Sequence, residues 1–520
     1  MDIHISRSIM ISMLVLISSF LVVSNLVAQT DIPAGNVSGT WPLSGSPFRV
    51  NGDITVPNGQ TLTIEPGVNV IFSGNYKFNV QGRLLAVGTP QDTITFTAQD
   101  TATGWHGIRF TNTPATNDTT KIIYCKLQHG KAITGNYYDQ SGGALLVMNF
   151  NKLLISHCLI NFNVNSGNPD YTGGGAICFW AASPILTNST ISNNSGTTGG
   201  GIICWSNANP IISNDIFANN SAWDGGGIYI GSSSNPFLMN DIIVNNHASD
   251  NCGGIRCYSN SKPSIMNSVI VKNQAAYGGG IDCRDNANPI VINTIIYWNS
   301  AGTGNQVLIE TIDSDPSFLN CDIEGGKDEF KGDGAGVYYT DSYVNNVDTD
   351  PLFVDSAQND FHLINNSPCI GAGADSAQVS GKLYYAPVLD FEGNPRPNPT
   401  GSHLDIGAFE SALDNPLTGI NELTKQLPNG FQLYQNYPNP FNPVTSIQYN
   451  LSRKAQTKLS VYDILGREIL VLVNTEKPAG IYQISFDAGK LASGVYFYRM
   501  QAKSGNDYIF SDIKKLILIK

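Results

Sequence analysis

A block of glycines returns five times along the middle of the chain, at Gly173–Gly175, Gly199–Gly201, Gly225–Gly227, Gly253–Gly254 and Gly278–Gly280. Prolines keep step with it at Pro184, Pro210, Pro236, Pro263 and Pro289, at intervals of 26, 26, 27 and 26 residues. Four residues after each stands an asparagine: Asn188, Asn214, Asn240, Asn267 and Asn293, with Asn320 following Pro316. A second column holds Asn194, Asn220, Asn246, Asn273 and Asn299. Three residues past each first-column asparagine the chain is always apolar, at Ile191, Phe217, Ile243, Ile270, Ile296 and Ile323. A fixed period of this kind means stacked units that share one core. Helical repeats are longer and need helix formers. Here charged residues make up 13% and glycine 52 of 520 residues, a composition of turns rather than helices.

A parallel β-solenoid fits the period. Each coil holds two or three short strands, and coils stack about 4.8 Å apart. Residues one period apart then lie above each other. Asparagine amides bond up and down the stack, apolar residues form a continuous row, and glycines make the tight turns.

The pattern continues weakly upstream. Cys158-Leu159-Ile160 with Asn163 reads as a coil stretched by an insertion around Asn168-Pro169-Asp170, and Ile122–Cys125 as another. Asp53 to Thr97, with Trp105-His106-Gly107-Ile108 after it, resembles the N-terminal coils and cap of right-handed parallel β-helix proteins. The expected fold class is all-β: a right-handed parallel β-helix, over 29–330 with its N-terminal cap and on the order of ten coils, followed by a small C-terminal β-sandwich. Residues 331–426 read as an irregular C-terminal cap and linker. Their landmarks are Asp350–Asp355, Ser367–Gly373 and Asp405–Glu410. They resemble the capping region of secreted bacterial β-helix proteins with a choice-of-anchor type Q domain, although Gly371 stands where that family usually has aspartate.

From Leu427 the chain alternates strictly, as in Ser446–Leu451, Lys458–Asp463 and Ile481–Phe486, with turns about every ten residues. That is the pattern of a small β-sandwich. Three strings, Tyr437-Pro438-Asn439-Pro440-Phe441-Asn442-Pro443, Val461–Glu468 and Leu491–Met500, resemble the type A C-terminal sorting domain of the type IX secretion system. The resemblance covers 427–520. It implies engagement by the secretion machinery, passage through the outer membrane, removal of this domain and often attachment to surface lipopolysaccharide. Residues 1–28, with Arg7, an apolar run from Ile9 to Val23 and Leu26-Val27-Ala28 before Gln29, read as an export signal. The expected location is therefore secreted or outer cell surface, reached through the periplasm.

Charge marks the same division. Residues 427–520 carry 11 Lys/Arg against 6 Asp/Glu, or +5, so the rest carries −17 of the chain's −12 total. No basic face for nucleic acid is evident. The nine cysteines form no metal-ligand spacing. Cys178, Cys204, Cys257 and Cys283, with Ile230 in the same slot, read as one buried column, and Cys125, Cys158 and Cys321 as another. No cofactor is implied. Calcium is the one ion that Asp313-Ser314-Asp315-Pro316 and Asp348-Thr349-Asp350-Pro351 could chelate, and Asx-turns are the simpler reading.

Strand alternation gives the candidate site. With Ile202 and Cys204 inward, one outward row reads Ile177, Ile203, Tyr229, Arg256 and Asp282. Its neighbour reads Phe179, Trp205, Gly231, Tyr258 and Arg284, with Trp223 and Asp224 on the turn upstream. Aromatic faces stack on sugars, and carboxylates and guanidinium groups bond hydroxyls. Phe179, Trp205, Trp223, Asp224, Tyr229, Arg256, Tyr258, Asp282 and Arg284 are thus candidates for carbohydrate binding, and none is nominated as catalytic. The expected function is a non-catalytic glycan-binding or adhesin-like surface protein. The alternative is a polysaccharide lyase or glycoside hydrolase, for which Asp224 and Asp282 would be the carboxylates.

Overall fold

The computed structural model describes residues 29–136, 138–166, 173–340, 342–416, 430–436, 439–478, 480–504 and 507–519. The export signal, the insertion around Asn168–Asp170, Tyr437-Pro438 and the junction at Leu427 lie outside them. The chain divides into two compact units, 1–417 and 418–520.

The first unit is a parallel β-helix of short strands in four stacked sheets of 12, 11, 12 and 7 strands. One coil shows the order. Thr190–Ser192 lies in sheet I, Ser195–Thr198 in sheet IV, Ile202–Trp205 in sheet II and Ile211–Ser213 in sheet III. Then Ile216–Ala218 starts the next coil in sheet I. Every pairing between coils is parallel and in register, as in Ile191↔Phe217, Phe217↔Ile243 and Ile243↔Ile270. These residues and their successors Ile296 and Ile323 are fully buried and form the expected apolar row. Each such side chain contributes roughly 1.5–3 kcal/mol by leaving water.

The two asparagine columns do different work. The first sits at the bend from sheet III to sheet I with left-handed backbone, φ 46° to 57° from Asn188 to Asn320. Asparagine tolerates that conformation better than most residues. The second is a buried ladder. Asn194 Nδ2 donates to Asn220 Oδ1 at 2.9 Å, Asn220 to Asn246 at 3.0 Å, Asn246 to Asn273 at 2.9 Å and Asn273 to Asn299 at 3.0 Å. Asn163 begins it, and Gln306 ends it by accepting from Asn299 at 2.7 Å.

Between sheets IV and II the chain bends through a glycine pair. A Cβ on Gly200 would stand 2.4 Å from the Gly226 carbonyl and 2.5 Å from that of Ser221, so the coils close only around hydrogen.

The cysteine columns are partly redrawn. Cys125 and Cys158 share their turn position with Cys321 as expected, and Ser189, Asp215, Asp241, Ser268 and Thr294 fill the coils between. Cys178, however, pairs with Ile203, while Phe179 pairs with Cys204. Phe179 therefore takes the inner column and Cys178 the outer one. All nine cysteines are buried and free.

Phe330, packed on Phe318, Tyr339 and Tyr343, plugs the last coil. Much of the chain beyond this plug, up to 416, lies instead along the flank. Phe361, Cys369 and Ile406 pack against Val244, Val269 and Ile295, outward residues of sheet I. Ala377 and Val379 pack against Met266 and Ile292 of sheet III.

The second unit has two antiparallel sheets around one core. Gln432–Leu433, Val444–Leu451 and Gly480–Asp487 form one; Glu468–Lys477, Ala455–Tyr462, Gly494–Ser504 and Asp507–Leu518 form the other. Ile447, Tyr449, Leu459, Val461, Tyr498 and Leu516 fill the space between them. Tyr498 also receives the Asn436 N–H at 2.7 Å and donates to the Tyr434 carbonyl at 2.7 Å, fixing the entry strand.

Candidate functional site

The outward face of sheet II carries two adjacent rows. The row next to the glycine turn is Arg109, Leu146, Cys178, Ile203, Tyr229, Arg256, Asp282 and Leu308, in register from coil to coil. All of it is buried in the corner that sheets II and IV make. The second row, two residues on, holds the half-exposed rings Trp180, Trp205 and Tyr258, with buried Gly231 among them and exposed Arg284 after them.

The second row is the aromatic stripe. Trp180 and Trp205 stand 6.4 Å apart between ring centroids, and Trp205 stacks on Tyr258 at 6.4 Å with an interplanar angle of 17°. Trp205 reaches Tyr258 across a whole coil because Gly231 lies between them. A Cβ there would sit 2.4 Å from the indole. Tyr229 of the inner row backs both rings, at 5.9 Å from Trp205 and 6.2 Å from Tyr258. Tyr138 meets Trp180 edge-on at 5.1 Å.

At its C-terminal end the stripe gives way to charge. Arg256 lies over the Tyr258 ring at 5.9 Å. Its Nη1 contacts Asp282 Oδ2 and, at 3.1 Å, Glu310 Oε1. Arg284 bridges Glu310 at 3.4 Å and Asp285 at 3.6 Å. Burial works against the charge on Arg256, but Asp282, Asp224, Tyr229 and Glu310 outweigh it and hold the guanidinium more firmly protonated than usual. Burial pushes the Asp282 carboxyl up; Arg256 opposes this and Glu310, in contact with it, adds to it. Burial likewise raises the Tyr229 hydroxyl, against Arg256. The corner is thus a buried charge network in which Arg256 Nε, Asp282 Oδ1 and Glu310 Oε1 are left without hydrogen-bond partners.

The structure brings together Trp205, Tyr229, Arg256, Tyr258, Asp282 and Arg284, with Asp224 facing Arg256 and Tyr229 from sheet IV. Two candidates fall elsewhere. Phe179 is fully buried in the core, and Trp180 holds its place in the stripe. Alternation along Ser221–Asp224 puts Trp223 on the face opposite Asp224, half-exposed and apart from the ring cluster. Trp180, Tyr138, Asp285 and Glu310 escaped the sequence reading. The Trp180–Trp205 match was the available signal for the first. Glu310 falls on the last coil, where the glycine block lapses to Gly304-Asn305-Gln306, but it stands one period of 26 after Arg284, which was its available signal.

Of the acidic turns, Asp315 accepts from Thr340 N–H and Oγ1, at 3.1 and 2.8 Å, and Asp350 from Leu352 N–H at 3.0 Å. Among the described residues no group of three or more His, Cys, Asp or Glu side chains is placed to hold a metal ion.

Two family descriptions match the chain. One is a right-handed β-helix region, matched over 101–275 and again over 198–323. The other is a secretion system C-terminal sorting domain, matched over 435–518. Neither reaches the segment between them. No curated protein and no solved structure matches the chain. With the parallel stack already described, the chain is a right-handed parallel β-helix protein. It carries a type IX secretion sorting domain, and is exported by that route to the cell surface or beyond. The sorting domain is the part that meets the secretion machinery.

Proposed function

We propose that the exported β-helix is a non-catalytic glycan-binding protein of the cell surface, with sheet II as its platform. The observation that carries this reading is the file of half-exposed rings, Trp180, Trp205 and Tyr258, held in register beside a buried polar corner. A purely structural coil has no use for large rings left partly in water, whereas sugar C–H faces stack on such surfaces. Attachment to lipopolysaccharide after removal of the sorting domain would display the platform outside the cell.

The hydrolase alternative is disfavoured by the corner itself. Asp282 has no exposed surface, and it shares the Arg256 guanidinium with Glu310. Glycosidase carboxyl pairs stand roughly 5–9.5 Å apart, open to substrate and water. Affinity electrophoresis of the purified protein in gels containing polysaccharide tests the reading, run beside an assay for new reducing ends and unsaturated sugars. Retardation without product formation is expected. Steady product release would replace binding with catalysis.

A further inference from the structure

From the pairing of charges around the stripe we infer that the platform takes an uncharged glycan, and turns away polyuronates. The inference rests on the glycan reading above and names its ligand class. Every cation against the rings is already matched. Arg256 is 2% exposed and engaged by Asp282 and Glu310. Arg284, the more open of the two, lies between Glu310 and Asp285. Tyr258, whose ring lies under Arg256, feels Asp285 as well as the two arginines. Two guanidinium groups thus meet four carboxyls, Asp224, Asp282, Asp285 and Glu310.

At the far end of the row, Arg109 is 1% exposed and spends Nη1 on the Ser141 and Gly142 carbonyls, both at 2.7 Å. Lys77 pairs with Asp139 at 3.0 Å. Arg109 Nε and Nη2 have no partner but are buried out of reach, so among the described residues no exposed guanidinium or ammonium against the stripe is left over for a carboxylate ligand, and the residues outside 427–520 carry −17 in all. The carboxyls within reach of solvent are held as well: Asp224 accepts from Asn251, Asp285 and Glu310 hold Arg284, and the partnerless Asp282 Oδ1 is buried. What remains exposed and without a charge of its own is the surface of three rings, Trp180, Trp205 and Tyr258, spaced 6.4 Å apart.

The probes are laminarin, xylan and mannan as neutral chains, polygalacturonate and alginate as uronates, and chitosan as a cationic one. Each is tested against the purified protein and Trp205→Ala between 20 mM and 500 mM salt. At least one neutral chain should be retained tenfold or more above any uronate at low salt. That retention should be flat in salt and weakened two- to twelvefold in Trp205→Ala. Repulsion of a uronate is screened beyond about 10 Å at 0.1 M, so any weak uronate retention should rise with salt. Trp205-dependent retention of a uronate or of chitosan that falls with salt overturns the inference and leaves the glycan reading standing. Retention of no glycan, or retention indifferent to Trp205, removes both.

Discussion

Gly231 and Trp205 form a single device, in which the missing side chain makes room for the indole that reaches Tyr258. Gly231→Ala should displace that ring, because its Cβ would meet Cζ3 at 2.4 Å. The expected outcome is a shifted tryptophan emission and weakened glycan retention, with a stability cost of about 1–3 kcal/mol. An unshifted spectrum would mean the ring does not rest there.

Asp241 offers a second test at this scale. It is fully buried and accepts the Asp215 N–H at 2.9 Å, and burial raises both carboxyls well above their ordinary range. A folded-state pKa above the unfolded value of about 3.9 contributes stability in acid that is lost as pH rises through the folded value. Asp241→Asn keeps the acceptor and discards the charge. It should therefore be more stable than wild type at pH 7, by about 1–3 kcal/mol, with the gap closing toward pH 4. Denaturant melts at the two pH values measure it.

Of the two misplaced rings, Phe179 also belongs to the scale of residues. From Trp180 to Pro184 is four residues, from Trp205 to Pro210 five. Proline spacing reports the turn, and one residue less in the turn carries every side chain of the strand to the opposite face. Counting back from the proline therefore slips by one residue. Counting forward from the first glycine of each block makes the same slip, because the left-handed glycine is Gly174 in one coil and Gly199 in the next, and either count sets Phe179 beside Trp205 on the exposed face.

Among elements, the asparagine ladder was legible because identical side chains at one period can hardly do anything but stack. Asn246 donates to Asn273 Oδ1 at 2.9 Å and to the Phe217 carbonyl at 2.9 Å, while receiving Asn220. Asn246→Leu leaves those groups buried without partners. It should cost about 2–5 kcal/mol, since each orphaned group costs about 1–3. Urea unfolding followed by circular dichroism should show an unchanged slope and an earlier midpoint. Sheet IV was harder to see. Its strands are short and polar, such as Ser195–Thr198, and merge into the glycine block, so nothing in the sequence separated Trp223 on one face from Asp224 on the other. The charged corner was legible from register, since Arg256 and Asp282, and likewise Tyr258, Arg284 and Glu310, stand 26 residues apart, although the row was followed only as far as Arg284.

For the whole molecule, the charge contrast between 427–520 and the remainder coincides with the division into two compact units. Mass spectrometry of protein recovered from the cell surface should find no peptides beyond about Asn436, and abundant Ile513–Ile519 sequence there would contradict removal of the sorting domain. What the molecule displays after export depends most on whether the stripe is a ligand surface or a covered part of the core. Paired measurements of binding and denaturant stability on Trp205→Ala decide this. A ligand surface predicts a two- to twelvefold loss of retention on a neutral polysaccharide, the equivalent of about 0.5–1.5 kcal/mol of stacking, with a stability loss no larger than that. A stability loss of about 3–5 kcal/mol, the cost of emptying a core aromatic site, with retention unchanged would contradict it.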